Sequence, residues 1–66
     1  MNILRLVKGD TVATIKRNDK GVEYTVKNGQ EKQTEQVETT QAGGFHAMSS
    51  VLQSLLKKGF VIDEII

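Results

Sequence analysis

Apolar residues recur at helical spacing between Gly43 and Phe60, which makes this stretch the clearest structural signal in the chain. At roughly 100° per residue, six large apolar side chains fall within about 140° of arc. These side chains are Phe45, Met48, Val51, Leu52, Leu55 and Leu56. The pattern predicts an amphipathic helix that buries one face.

The end of this helix is well defined by its last residues. Lys57 and Lys58 place positive charge where the helix dipole favours it, and Gly59 suits the left-handed position that follows many helices. Phe60 is then expected to fold back onto Leu55 in the last turn. The start is open, because either glycine or threonine can cap a helix. The candidate N-caps are Gly43, Gly44, Thr39 and Thr40.

Upstream of the helix, apolar and β-branched residues alternate with polar ones in short runs that end in turn residues. The predicted strands are Asn2–Lys8, Thr11–Arg17 and Val22–Lys27. Gly9-Asp10 and residues 18–21 form the first two turns, and Asn28-Gly29 is typical of a type I′ hairpin. These runs predict an antiparallel meander.

The strand register follows from the pairing that aligns the apolar faces. Pairing Leu6 with Ala13 and Ile15 with Tyr24 collects seven apolar side chains on one face, which is the predicted floor for the helix. These are Leu4, Leu6, Ala13, Ile15, Val22, Tyr24 and Val26. The opposite, outer face then carries Ile3, Arg5, Val7, Val12, Thr14, Lys16, Glu23, Thr25 and Lys27.

The stretch Gln30–Thr40 is polar, with Val37 as its one large apolar residue. Paired through the Asn28-Gly29 turn, it sets Gln33 beside Tyr24 and so adds nothing apolar to the floor. It is predicted to form a polar edge strand over residues 30–36, which discourages edge-to-edge aggregation. A mobile loop is the alternative.

The last segment, Phe60–Ile66, is apolar apart from Asp63 and Glu64. It is predicted to pair beside the first strand or to be contributed to another subunit. The whole pattern predicts an α+β fold: an antiparallel β-meander of three to four strands, one amphipathic helix packed on one face, and a short C-terminal strand.

Length and composition place limits on this fold. With 66 residues the chain is predicted to form one domain, residues 1–66, that buries only about 60% of its unfolded surface. Cysteine is absent and there is one histidine, so we expect no disulfide, no clustered metal ligands and no cofactor. Self-association is the remaining way to add stability to a core this small. Lack of cysteine and of a long apolar stretch favours a cytoplasmic protein without a membrane segment.

Candidate catalytic groups are sparse. His46 and Ser50 lie four residues apart on the polar side of the helix, but that helix carries no carboxylate to orient the imidazole. Asp63 and Glu64 are adjacent in a predicted strand, so their side chains are expected on opposite faces. The chain is therefore predicted not to be an enzyme. Gly43-Gly44 is a further candidate, as a turn whose amides bind a phosphate-bearing ligand.

The basic residues have a clearer distribution than the net charge of +1 implies, because residues 1–32 hold seven bases against four acids. Four of these bases are predicted on the outer face and are candidate contacts for single-stranded nucleic acid: Arg5, Lys16, Lys27 and Lys32. A meander followed by a helix is similar in outline to the sheet-plus-helix cofactors of transcription that bind single-stranded DNA. No motif is shared, and no aromatic residue is predicted on the outer face.

Apolar residues on the outer face and in the last strand are the other candidate site. They are Ile3, Val7, Val12, Val61 and Ile65. An exposed apolar cluster rimmed by charge is typical of an interface. The leading hypothesis is therefore a small non-enzymatic interaction module, a homo-oligomer (dimer) that binds or inhibits a protein partner. Nucleic-acid binding is the alternative.

Overall fold

The computed structural model of the protein describes residues 3–39 and 41–66. The predicted strand start at Asn2 and the candidate N-cap Thr40 lie outside these residues. The elements in chain order are β1 Ile3–Lys8, β2 Thr11–Asn18, β3 Gly21–Asn28, β4 Glu31–Glu38, α1 Gln41–Lys57 and β5 Val61–Ile65.

Five strands form one antiparallel sheet in the order β4-β3-β2-β1-β5. The first four strands are a meander, and β5 returns after the helix to pair with β1. Helix α1 packs on one face, mainly over β2 and β3. The predicted α+β arrangement is confirmed, with all four meander strands and the short C-terminal strand in place.

The first two hairpins have the predicted register. Leu6 pairs with Ala13, and Ile15 pairs with Tyr24, so the apolar side chains share one face as the alternation requires. The second turn is shorter than predicted, because Asn18 and Gly21 already pair with each other.

The third hairpin differs from the prediction by two residues. Its turn is Gly29-Gln30, closed by the pair Asn28 and Glu31, with Gly29 at a φ of 63°. A shift by two residues leaves every side chain on its predicted face but changes its neighbours. Val37 now lies opposite Val22, so the one large apolar residue of β4 is paired with a core residue. The strand consequently extends to Glu38, beyond the predicted end.

The core lies between the sheet and α1. Its members are apolar side chains from four elements and from the short connection between α1 and β5: Leu4, Leu6, Ala13, Ile15, Val22, Leu55 and Phe60. Tyr24 and Val26 are partly buried at its margin, as are Met48 and Val51 of the helix. The predicted floor is therefore the floor that the helix covers.

The helix begins at Gln41, which is the earlier of the two predicted starts. Gly43-Gly44 accordingly lies inside the first turn and is not a loop before the helix. Phe45 and Leu56 are exposed, by 71% and 44%, and their predicted burial is wrong. Both sit at one margin of the predicted stripe, and the helix is rotated so that Ala47, at the other margin, packs on the core instead.

The C-terminus of the helix has the predicted Schellman geometry. The Phe60 amide donates to the Leu55 carbonyl at 3.1 Å, and the Gly59 amide donates to the Leu56 carbonyl at 3.1 Å. Gly59 has a φ of 100°, which an L side chain rarely adopts. The Lys8 ammonium also donates to the Lys58 carbonyl, and this bond ties β1 to the end of the helix dipole.

Candidate functional site on the open sheet face

The sheet has a face on the side away from α1, and we call it the open face. Alternate residues of each strand project there, beginning with Ile3, Arg5 and Val7 of β1. The single described helix packs on the other side, so no described element covers these residues. Cross-strand pairing divides the open face into rows that run perpendicular to the strands, and three of these rows reach β1. A short fourth row of Asn18, Gly21 and Glu38 lies beyond the third row, on β2, β3 and β4.

The first row is apolar over three adjacent strands. Val12 lies opposite Val7, and Val7 lies opposite Val61, so the three side chains are continuous neighbours. We call them the valine row. Val61 is 58% exposed, whereas Val7 and Val12 are half-buried by their neighbours. On the β3 side the row continues into Lys27 and Lys32.

An ion-pair cluster occupies one end of the middle row. The Arg5 guanidinium lies 2.7 Å from an Asp63 carboxylate oxygen and 3.0 Å from a Glu64 carboxylate oxygen. Both carboxylates reach the same arginine because the β1–β5 register shifts at this point, as in a β-bulge. The expectation that Asp63 and Glu64 project to opposite faces is therefore wrong.

Threonines fill the rest of the middle row. Thr14 lies opposite Thr25, and Thr25 lies opposite Thr34, with 3.2 Å between the Thr25 and Thr34 hydroxyl oxygens. We call these three residues the threonine row. Short β-branched side chains side by side leave this strip of the sheet level, with no long side chain projecting from it.

The third row mixes charge with apolar residues. Ile3 lies opposite Lys16, and Lys16 lies opposite Glu23. At its other end, Ile3 and Ile66 exchange two backbone hydrogen bonds, of 3.2 and 2.9 Å, which places the 58% exposed Ile66 beside Ile3 on the same face. Glu23 continues the row to Gln36 on β4.

Comparison of the chain with protein-family models, with curated proteins and with solved structures finds no match. The function of the open face therefore has to be inferred from its geometry. Over the ranges 3–39 and 41–66, no helix is long and apolar enough to cross a membrane.

Four of the five predicted interface residues lie on the open face. Val7, Val12 and Val61 are contiguous, and Ile3 is separated from them by the row that holds Arg5. Ile65 instead pairs with Leu4 and projects to the helix side, where it is 55% exposed. Alternation along β5 is broken by the bulge, so sequence periodicity alone misplaces Ile65. Ile66 was not among the predicted residues.

The four predicted nucleic-acid contacts also lie on the open face but do not form one basic patch. Arg5 is engaged by two carboxylates, and Lys16 faces Glu23. Lys27 and Lys32 are directly opposite each other at one corner, an arrangement of like charges that is unfavourable by itself.

The candidate groups of the helix remain apart from this surface. His46 and Ser50 lie in a shallow depression on its solvent side, with Ser49, Gln53, Ser54 and Lys57. No acidic residue occurs between Gln41 and Lys57, so no carboxylate of the helix orients the imidazole. Within the described part of the chain, no three His, Cys, Asp or Glu side chains come together as metal ligands.

One polar contact on the helix side affects a titratable group. The Tyr24 hydroxyl donates to a Glu35 carboxylate oxygen at 2.6 Å across β3 and β4. This hydrogen bond, together with partial burial and the negative charge of Glu35, raises the pKa of Tyr24 above its ordinary value of 10.0. The contact depends on the observed register, which sets Glu35 and not Gln33 beside Tyr24.

Proposed function

We propose that this protein is a small non-enzymatic interaction module that self-associates through its open face. The observation that supports the proposal most is the valine row, three apolar side chains continuous over β2, β1 and β5. It is bordered by Arg5 with its two carboxylates and by the corner lysines. Apolar surface with a charged border is typical of protein interfaces.

The small core supports the same proposal. Among the residues whose burial the structure describes, only seven apolar ones are buried, and a chain of this size has little further surface to bury within itself. Covering the valine row with a second copy removes more apolar surface from water, at roughly 25 cal/mol per Å². A protein partner bound or inhibited by this module would use the same face.

Nucleic-acid binding is the second candidate, and the pair Lys27 and Lys32 favours it. Like charges placed directly opposite repel, and a bound phosphate would relieve that repulsion. Two observations weigh against it. Arg5 already has carboxylate partners, and the aromatic residues Tyr24, Phe45 and Phe60 belong to the helix side of the molecule. A binder of single strands needs aromatic platforms beside its cations.

We place this activity in the cytoplasm. The support is the lack of cysteine, which is common in a reducing compartment. Fractionation of cells that express a tagged copy of the chain tests this placement, and recovery of the protein in a membrane or secreted fraction would contradict it.

Light scattering over a concentration series, with a matched pair of variants, tests the self-association. Val61→Asp and Ile65→Asp alter the first and last residues of β5, which have nearly equal exposure, 58% and 55%, but lie on opposite faces. We expect a concentration-dependent dimer in the parent, a dissociation constant raised about tenfold or more by Val61→Asp, and little change from Ile65→Asp. Equal effects of the two variants would contradict the use of the open face.

The nucleic-acid alternative has its own measurement. Fluorescence anisotropy of a labelled single-stranded oligonucleotide is recorded between low and high salt for the parent and for Lys27→Ala/Lys32→Ala. We expect weak binding or none in both. Tight binding that decreases steeply with salt and is lost in the double variant would instead establish the second candidate.

A further inference from the structure

We infer that two copies of the chain pack open face against open face, about a two-fold axis that lies along the threonine row. The inference rests on the self-association proposed above and adds its symmetry and its contacting pairs. Two sheets packed in this way stand about 10 Å apart with α1 on each outer side. The contact is isologous, so each pairing occurs twice.

The axis follows from where the three rows stand. A two-fold rotation about the middle row leaves each strand over its own copy and exchanges the first row with the third. Val7 then lies over Ile3 of the second copy, which pairs apolar with apolar. Lys27 lies over Glu23 of the second copy, which pairs opposite charges.

The Lys27–Glu23 contact between copies forms an ion pair from two side chains that do not pair with each other within one chain. Within the described residues Lys27 forms no ion pair, and its cross-strand neighbour is another cation, Lys32. Glu23 likewise has no ion pair in the described part of the chain. In the dimer two such contacts form by symmetry, and the repulsion between Lys27 and Lys32 is offset.

The middle row suits a position on the axis. Thr25 meets its own copy there, and its short side chain allows two sheets to approach closely. Arg5 also meets its copy, but each guanidinium already carries Asp63 and Glu64, so two cations face each other inside four carboxylates. Repulsion between the two arginines is therefore compensated within each chain.

One contact in this arrangement is not complementary. Val12 lies over Lys16 of the second copy. The lysine can lay its methylene groups along the valine and direct its ammonium to the edge of the contact. Because packed sheets cross at about 30°, edge strands are displaced most, and the pairing rests on β1, β2 and β3.

The other simple two-fold axis is disfavoured by the same residues. If the axis ran along β2, parallel to the strands, β3 would lie over β1 of the second copy. Lys27 would then face Val7, and Glu23 would face Ile3. Each contact would bury a charged group against an apolar side chain, away from water and without an opposite charge beside it.

A charge-exchange experiment tests the axis. Sedimentation equilibrium gives the dimer dissociation constant for the parent, for Lys27→Glu, for Lys27→Glu/Glu23→Lys and for Lys27→Glu/Glu31→Lys. The last variant is the control, because Glu31 has the same charge as Glu23 but projects to the helix side. Circular dichroism confirms that each variant is folded.

We expect Lys27→Glu to raise the dissociation constant about tenfold, because two attractive contacts become repulsive. Adding Glu23→Lys should restore it to within about threefold, and adding Glu31→Lys should not. A parent dimer in which Glu23→Lys gives no rescue would overturn this axis and leave the proposed self-association standing. A parent that is monomeric at every concentration would overturn both.

A distance measurement on the dimer gives an independent test. Ser54 is exposed on the helix, and Ser54→Cys introduces the only thiol in the chain, to which a nitroxide label is attached. With the sheets together and the helices outside, the two labels should be more than roughly 30 Å apart. Labels closer than about 25 Å would place the helices in the contact and overturn the inference.

Discussion

The two faces of the sheet are made by the same strands, yet they differ in what they bury. On the helix side, Leu6, Ala13 and Ile15 have no exposed surface and meet a helix that follows them in the chain. On the open face, the neighbours Val7, Val12 and Thr14 stay half-buried. Adjacent residues of β1 therefore differ in role: Leu4 and Leu6 build the core, and the odd positions form the surface that we propose for self-association.

This difference teaches that alternation in a strand separates stability from interaction. The helix face is uniformly apolar at its centre, so it can accept only a complementary apolar partner, which the chain itself supplies. The open face combines apolar, neutral polar and charged side chains, and a surface of this mixed composition is selective about what it packs against. Variants of adjacent residues should therefore have unequal effects on folding.

The largest expected effect comes from removing a core side chain. Leu6→Ala should lower the free energy of unfolding by about 2–5 kcal/mol, because it leaves a cavity beneath the helix. Val7→Ala, one residue away on the open face, should cost less than about 1 kcal/mol in dilute solution. Urea denaturation at low protein concentration measures both, and equal losses would erase the distinction between the faces.

The next-largest effect concerns the connection from β4 to α1, which passes close to Gly21. Gly21 is buried with a φ of 143°, and a Cβ there would overlap the Val37 carbonyl oxygen and come within 2.8 Å of the Thr39 amide nitrogen. Gly21→Ala should therefore cost about 2 kcal/mol or more.

Gly9→Ala is the matched control for this variant. Gly9 also has a positive φ, of 58°, but a Cβ added there meets nothing within 4 Å among the described atoms. The loss should be about 1 kcal/mol, the strain of the left-handed conformation alone. If thermal unfolding of the two variants shows the same loss, close contact at Gly21 does not constrain the connection from β4 to the helix.

The smallest effect is the contribution of the Tyr24–Glu35 hydrogen bond at the margin of the helix face. The raised pKa of Tyr24 means that the folded protein favours the protonated phenol. The hydrogen bond therefore contributes fully to the free energy of unfolding below the unfolded pKa of about 10. This contribution is lost as the pH rises through the higher pKa of the folded protein. Tyr24→Phe should therefore cost at most about 1 kcal/mol near pH 8, and less near pH 11.

Urea denaturation of the parent and of Tyr24→Phe at both pH values checks this. A difference between the two proteins that does not diminish with rising pH would show that the hydroxyl contributes independently of its ionisation. Glu35→Gln is a useful companion, because it keeps a hydrogen-bond acceptor and removes the negative charge that helps to raise the pKa.

Much of the fold could be predicted because alternation fixes the faces even where a turn is misplaced. In β4, a register error of two residues left Val37 on the correct side, since side chains repeat with a period of two. The neighbours were nevertheless wrong, and the contacts of Glu35 and Thr34 could not be foreseen. Pairing of the half-buried Val37 with the core residue Val22 outweighed the preference of Asn28-Gly29 for a turn.

The candidate site was harder to predict, because it depends on a bulge and on the position of the helix. The shift between Arg5 and Leu6 brings Asp63 and Glu64 to one guanidinium and turns Ile65 to the helix side. Bulges have no reliable pattern in a single sequence. The rotation of the helix likewise follows from its packing on β2 and β3. It leaves Phe45 exposed, although the apolar stripe of the sequence predicted that Phe45 would be buried.

Concentration-dependent NMR of the parent protein tests the central claim most directly, that the open face is buried by self-association. Methyl and amide spectra are recorded over a dilution series without any substitution. We expect the methyl signals of Val7, Val12 and Val61 to shift with concentration. Those of Ile62 and Ile65, which pair with Leu6 and Leu4 on the helix side, should stay constant. Shifts confined to Ile62 and Ile65, or no shift up to millimolar concentration, would contradict the claim.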